Sequence, residues 1–516
     1  YAPLLSAVAA LPDDGFALGS EQAKARLQSI GFRDPAGAMR HLAALTTGTT
    51  RTAKIQRNLL PVLLLWLAQG TDPDYGLLAF RRVSEANRDT PWYLRLLRDG
   101  TEAAERLTRV LSTSRFAAEL LESIPEAVAW LERDERLHPP PLSALREEMR
   151  RLVSRRESLA LAADALRGVH RREVLRIALG RLVGVLGEAD VAAGLSATHT
   201  ALLESLLMSS VSFEDEHSAV HAIDMSLIAL GRFGGEELGF ASDLDLLAVY
   251  RPRPGADAEA VGSAQRTAES MVSRLRALID DPRFSVDLDF DLRPEGKNGP
   301  LARSLDAYRA YYERWSLAWE AQALLRARPA AGDAELGEAF IRLADEIRYP
   351  DSLDESGIRE IRRIKARVEA ERLDRGADPR RHLKLGPGGV SDVEWLVQLL
   401  QLRYAAQHPS LRTTSTLQAL HAAEQLSLLR SDDRILLEEA WRFASEIRSA
   451  IKLWSGRASD VLPTDRAQLA GIAGVLGMSA LQTTELEERW FGVSRRARRV
   501  FEREFFGYED EPQFPV

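Results

Sequence analysis

The sequence predicts a predominantly helical α+β chain, and three observations lead to that class. Helical periodicity fills residues 1 to about 138 and returns after about residue 303. Strand-like stretches occur only in the middle, at Ser226 to Leu230, Leu244 to Tyr250 and Phe284 to Leu292. At 516 residues the chain is too long for one ordinary core, so roughly two to four domains are expected.

Each element has its own local signal. Asp89-Thr90-Pro91 is a helix start, with a capping side chain and a proline in the first turn, and Trp92, Leu96 and Leu97 follow at helical spacing. A further helix runs from Ser114 through Leu121, ends near Ile124-Pro125 and restarts through Val128 to Leu131. Pro139-Pro140-Pro141 is a stiff break and a candidate domain boundary. Amphipathic helices return from Ser143 to Val185. Between the second and third strands, Ala264 to Ile279 reads as a helix. In the third strand Val286, Leu288, Phe290 and Leu292 alternate with Asp287, Asp289 and Asp291, which predicts one acidic face. A turn-rich loop, Arg293 to Gly299, ends it. Further on, Ile358, Ile361, Ile364 and Val368 mark a core stripe, with Arg359, Arg362, Arg363 and Arg367 on the other faces. Leu437, Trp441, Ala444, Ile447 and Ile451 mark another. The acidic, proline-bearing tail from Glu509 to Val516 is expected to fray.

Composition narrows the function. The chain has no cysteine, which excludes disulfides, thiolate zinc sites and cysteine nucleophiles. Its 68 basic residues face 76 acidic ones, for a net charge of −8, which disfavours nucleic acid as a substrate. The longest apolar run, Leu59 to Ala68, is too short to span a bilayer, and nothing argues for secretion, so no membrane association and a cytoplasmic location are expected. The chain opens at Tyr1 rather than methionine, as a piece of a longer protein would.

The chemistry concentrates in Leu230-Gly231-Arg232-Phe233-Gly234-Gly235, followed by Ser242-Asp243-Leu244-Asp245-Leu246. Asp243 and Asp245 are two residues apart at the start of a strand and point the same way. Alone, such a pair suits any half-exposed strand. The acidic third strand changes the reading, because carboxylates crowded on neighbouring strands repel one another unless a cation sits between them. Metal-assisted phosphoryl transfer is the economical explanation. Gly234-Gly235 is either a simple turn or an anion-binding concavity, and Arg232 beside it either binds phosphate or is solvated. A second glycine cluster, Lys384 to Val390, precedes Ser391-Asp392-Val393-Glu394-Trp395. Ser391 and Glu394 read as a capping box, and a helix start preceded by glycines is also a ready anion site. Lys384 is one of six lysines and a candidate phosphate ligand. In the segment with Trp319, Glu320 and Gln322, Trp319 and Leu324 read as core. Arg326 and Arg328 there either neutralise triphosphate charge or pair with the acidic strands.

These motifs together resemble the glutamine synthetase adenylyltransferase family: Gly-Arg-Phe-Gly-Gly, Ser-Asp-Leu-Asp-Leu, the Asp289 to Leu301 segment, Trp319 to Arg328, and Lys384 to Trp395. The likeness covers essentially the whole chain and is strongest to actinobacterial members. It implies a polymerase-beta-like nucleotidyltransferase domain with a small mixed sheet, flanked by helical regions. The expected division is a helical linker or regulatory region at 1–140, the catalytic domain at 141–335 and a C-terminal helical bundle at 336–516. Family members carry two related halves, one transferring AMP from ATP to a tyrosine hydroxyl of glutamine synthetase and one removing it by phosphorolysis. Only one motif set occurs here, and the Glu295 to Leu301 loop resembles the adenylylating half. The deadenylylating half and a non-catalytic regulatory scaffold are the alternatives. By resemblance, Asp243, Asp245 and Asp289 bind Mg2+ and act in catalysis; the acidic neighbourhood of Asp289 makes it the favoured base. Asp287 and Asp291 rank lower. Gly234, Gly235, Arg232, Ser242, Lys384 and Arg326 are the expected ATP-binding residues, and a PII-type signalling protein is a possible partner.

Overall fold

The computed structural model describes residues 20–508 apart from 47–50, 89, 216–217, 316–317, 374–375, 377 and 480–481. The expected cap at Asp89 and the expected frayed tail at Glu509 to Val516 therefore lie outside the described residues.

The chain is helical with a small mixed sheet, as the sequence predicts. Among the described residues, seven α-helices, from Ser20–Ser29 to Arg115–Ser123, lead into 3-10 turns at Pro125–Glu132 and Asp134–Leu137. Pro91 opens its helix after Thr90, but the Thr90 hydroxyl donates back to Asn87 O and caps nothing. Ser114 does cap, accepting from Ala117 N, and its hydroxyl donates to Leu453 O at 2.6 Å. That bond ties the N-terminal helices to the far end of the chain. Helix α1 (Leu159–Leu182) packs along α2 (Glu188–Ser212) under the sheet. By length and composition α2 would cross a bilayer, but 67% of its most apolar window is buried within the fold. It is a core helix.

The sheet is built from β1 (Ile223–Ala229), β2 (Leu244–Pro252), β3 (Leu288–Asp289), β4 (Arg303–Ser304) and β5 (Arg328–Gly332). Its order is β3-β2-β1-β5, with β4 also paired to β2. β1 runs antiparallel to β2 and β5, while β3 and β4 run parallel to β2. Both faces of the two central strands are covered, so they read as near-continuous apolar runs. Leu227, Ala229, Leu246 and Ala248 join the main core, which extends from Leu27 to Phe505. Ile228, Leu230, Leu247 and Val249 face Tyr308, Tyr312, Phe340 and Leu343 in a second cluster. Helix α3 (Ala258–Ile279) crosses between β2 and β3.

After β5 the chain is helical again. Helices α4 (Glu355–Arg372), α5 (Val390–Tyr404), α6 (Thr416–Gln425), α7 (Ser431–Ser455) and α8 (Thr483–Phe501) form its C-terminal part. All five residues of the expected α7 stripe are buried.

Three expectations need correction. The third strand is only two residues long rather than nine. Asp291 N donates to Asp289 Oδ1 at 2.7 Å, which turns the chain out of extended conformation. Arg293 then fastens the turn by donating to the carbonyls of Phe290, Lys297 and Gly299. Asp287, Asp289 and Asp291 therefore share no strand face: Asp287 is exposed, and Asp291 pairs with Arg293 and Lys297. In α4, Ile358 and Ile361 are buried, but Ile364 and Val368 are only half-buried, and Lys365 occupies the core at 0% exposure. Ser391 and Glu394 form no capping box. Gly389 is the cap residue, and the first amides of α5 are taken by the carbonyls of Leu383 and Lys384. This is also why that helix start presents no open anion site.

Candidate active site

The acidic cluster follows from strand register. Asp243 precedes β2, Asp245 lies within it, and the parallel pairing of β2 with β3 sets Asp245 beside Asp289. All three are half-buried, and one carboxylate oxygen from each lies within 4.8 Å of the others. Asp245 is pushed up to about 7, first by burial and then by Asp243 and Asp289, with Lys384 pulling the other way. A divalent cation would relieve this penalty on the charged carboxylate, and three convergent carboxylates are the oxygen donors that magnesium takes.

The glycine turn is a single helical turn, Gly231–Gly234, at the end of β1. Gly231 has φ +49, and a Cβ there would fall 1.9 Å from Asp245 Oδ2. Only glycine lets the backbone approach the carboxylate so closely. Gly234 and Gly235 serve packing. Their amides donate within the turn, to Leu230 O and Gly231 O. A Cβ on Gly234 would meet Arg326 O at 1.9 Å, and one on Gly235 would meet Thr414 O at 2.9 Å. The turn does not offer these two amides as free phosphate donors. Ser242 accepts from Gly239 N, which shapes the bend entering Asp243.

Arg232 and Arg326 lie in a polar layer beneath this turn. Arg232 donates to Glu237 O at 2.7 Å and stacks over Trp441, and burial with Arg448 nearby pushes it down to about 10. Arg326 is 4% exposed. Burial works against its charge, but Glu237 and Glu394 outweigh that and hold its pKa above the ordinary value. It lies 2.8 Å from Glu237 Oε2 and 3.4 Å from Glu394 Oε1, and donates to Thr416 Oγ1. Glu237 in turn accepts from Ser415 Oγ and Thr416 N, which fastens the glycine turn to the start of α6. Sequence reasoning missed Glu237 and Thr416. Their only signal is polarity at positions that turn out buried.

Lys384 does reach the acidic edge. It lines a cleft of about 450 Å³ with Ser242, Asp243 and Asp287. Arg448 and Lys452 from α7 add positive charge to the wall, and Phe240, Phe284, Val174 and Leu195 add apolar surface. The structure thus brings Asp243, Ser242 and Lys384 to one cleft, and Asp243 in turn joins Asp245 and Asp289 in the acidic cluster. It places Gly234, Gly235, Arg232 and Arg326 in the supporting layer. An acidic edge facing a basic, partly apolar wall suits a metal-bound polyphosphate carrying an aromatic group.

Comparison with known proteins agrees with the motifs. Residues 104–343 match the family model described as glutamate-ammonia ligase adenylyltransferase. Residues 361–505 match the model described as GlnD PII-uridylyltransferase. The chain is 54% identical over 519 residues to a bifunctional glutamine synthetase adenylyltransferase/adenylyl-removing enzyme of Leifsonia xyli subsp. xyli, covering 99% of this chain and 51% of that protein. The enzyme of the same description from Streptomyces coelicolor is 47% identical, over 98% of this chain and 52% of its own length. That from Mycolicibacterium smegmatis is 43% identical, over 98% and 51%. The chain therefore spans about half the length of the curated relatives it matches.

Proposed function

We propose, on the premise that residues 104–343 belong to the glutamate-ammonia ligase adenylyltransferase family, that the chain transfers AMP from ATP to a tyrosine hydroxyl of glutamine synthetase and releases pyrophosphate. The observation that carries this reading is the convergence of Asp243, Asp245 and Asp289, with Asp243 also lining a cleft walled by Lys384 and Arg448. In this reading residues 141–335 are the catalytic domain, 1–140 a helical linker or regulatory region, and 336–516 a bundle that closes the cleft.

Asp243, Asp245 and Asp289 would hold magnesium, which supplies charge neutralisation at the phosphate oxygens as the leaving pyrophosphate forms. The chain's own groups do the rest. Gly231 keeps the turn close enough to Asp245 to fix that carboxylate's position. Lys384 places its ammonium beside the reacting phosphates. Asp289, with Oδ1 anchored by Asp291 N, is the carboxylate we assign to take the phenol proton as the oxygen attacks in line. The match of residues 361–505 to a PII-uridylyltransferase description supports a PII-type protein as a regulator acting through the C-terminal helices. A cytoplasmic location is the corresponding expectation.

The relatives' names carry adenylyl removal as well, and the same carboxylates would serve phosphorolysis. Radiolabelled ATP separates the readings. Wild-type chain should label glutamine synthetase, and the Asp243→Asn/Asp245→Asn variant should not. A chain that labels nothing, yet yields ADP from adenylylated glutamine synthetase and phosphate, is the deadenylylating half. Labelling by the double variant overturns the site.

A further inference from the structure

Behind Lys384 lies a set of buried charges that the chemistry so far does not use. Lys365 of α4 is 0% exposed, and so is Asp392 of α5. Lys365 Nζ lies 2.7 Å from Asp392 Oδ1 and 3.0 Å from Glu369 Oε1, and donates to Ser391 Oγ. Arg498 of α8 lies 3.0 Å from the other Asp392 oxygen and 2.8 Å from Glu369 Oε1. Three helices thus meet on one carboxylate. Burial alone would raise the Asp392 pKa, but Lys365 and Arg498 hold it below the ordinary range.

Such a cluster is a poor way to obtain stability, because desolvating the ions offsets most of their attraction and an apolar replacement often serves as well. What it supplies is a fixed loop. Asp392 Oδ2 accepts from Gly388 N at 2.7 Å, and the adjacent Ser391 N donates to Lys384 O at 2.9 Å. The loop between them has no freedom to shift toward α8, since a Cβ on Gly388 would fall 1.8 Å from Ser494 O. Its other end is held by Leu383 N donating to Asp460 O, and Asp460 pairs with Arg448 of the cleft wall. Lys384 is the one member of the loop's charged groups that lines the cleft beside Asp243.

We propose that Lys365, Asp392 and Arg498 are positioning residues: their buried ion cluster sets the Lys384–Gly389 loop so that the Lys384 ammonium meets the phosphates of the bound nucleotide. This rests on the nucleotidyl-transfer reading above. It makes nucleotide affinity depend on residues that touch no nucleotide.

A double-mutant cycle on the full chain tests it, reading the Kd of a non-hydrolysable ATP analogue with magnesium and the thermal unfolding of each variant. Lys384→Ala should weaken binding about tenfold, the scale of one charge-assisted contact. Asp392→Asn should weaken it similarly, and the double variant should be no weaker than Lys384→Ala alone. In the labelling assay the loss should fall on KM for ATP, with kcat changed by less than about threefold. Lys365→Arg keeps the charge but alters its reach, so it serves if Asp392→Asn does not fold, and it should show a smaller loss of the same kind. Independent, multiplying effects of Asp392→Asn and Lys384→Ala overturn the proposal. So does either loop or cluster variant that binds the analogue as wild type does. A wild-type chain that fails to bind the analogue sinks the nucleotidyl-transfer reading and this proposal with it, whereas wild-type binding with unaffected variants sinks this proposal alone.

Discussion

Asp245 shows how one residue can be both a liability and a ligand. Its carboxyl is pushed up to about 7, so the metal-free native state holds a proton that the unfolded chain releases near pH 4. The sign follows from that difference. Stability is fullest at low pH, declines as the pH rises toward 7 and is flat above it. Asp245→Asn should therefore stabilise the EDTA-treated chain at pH 8 by on the order of 2 kcal/mol, seen as a higher Tm, and change it little at pH 4.5. Added magnesium should stabilise the wild type at pH 8 and not this variant. Differential scanning calorimetry at the two pH values, with and without the ion, checks both. Gly231→Ala should abolish nucleotide transfer, because its Cβ would fall on Asp245 Oδ2 and the φ is left-handed. Asp243 and Asp245 were legible in the sequence because two-residue spacing on a strand is a local geometric fact. Lys365 was not, because a lysine at a core position makes sense only beside Asp392, twenty-seven positions away in sequence.

Among elements, the sequence predicted the central strands and most helices well because their apolar runs and periodicities are strong. The third strand is shorter than its alternation predicts. Alternation alone cannot show that Asp289 will capture the Asp291 amide and end the ladder, and the pairing of Asp245 with Asp289 depends on strand register, which is nonlocal. The glycine turn was located correctly, yet Gly234 is there because Arg326 O packs against it. Gly234→Ala should cost about 2–4 kcal/mol of stability, read by urea unfolding. The crossing of α1 and α2 carries a different signature. His170 and His199 meet edge to face at 4.8 Å. Burial pushes His199, which lines the cleft, down to about 4, and pushes His170 well below the ordinary value. Both are neutral in the native state, so their contribution is present above pH 6.5 and is lost as the pH falls through 4. Acid unfolding should take up protons at these two rings. Replacing both with leucine should lower the acid midpoint, as followed by circular dichroism.

Across the whole molecule, the cleft is made by parts distant in sequence: Asp243 and Asp287 from the segments that enter β2 and β3, Lys384 from the loop before α5, and Arg448 and Lys452 from α7. The Arg326–Glu237 pair and the bonds from Glu237 to Ser415 and Thr416 hold these parts together. Arg326→Met should destabilise the fold by about 3–5 kcal/mol by leaving Glu237 buried and unpaired, and adding Glu237→Gln should recover part of the loss. The central claim is the transfer itself, and intact-mass spectrometry of glutamine synthetase after incubation with the chain, ATP and magnesium tests it most directly. A mass gain of one AMP per modified subunit, absent with Asp243→Asn/Asp245→Asn, is the predicted result. An unchanged mass with the wild-type chain, or an equal gain with the double variant, contradicts it.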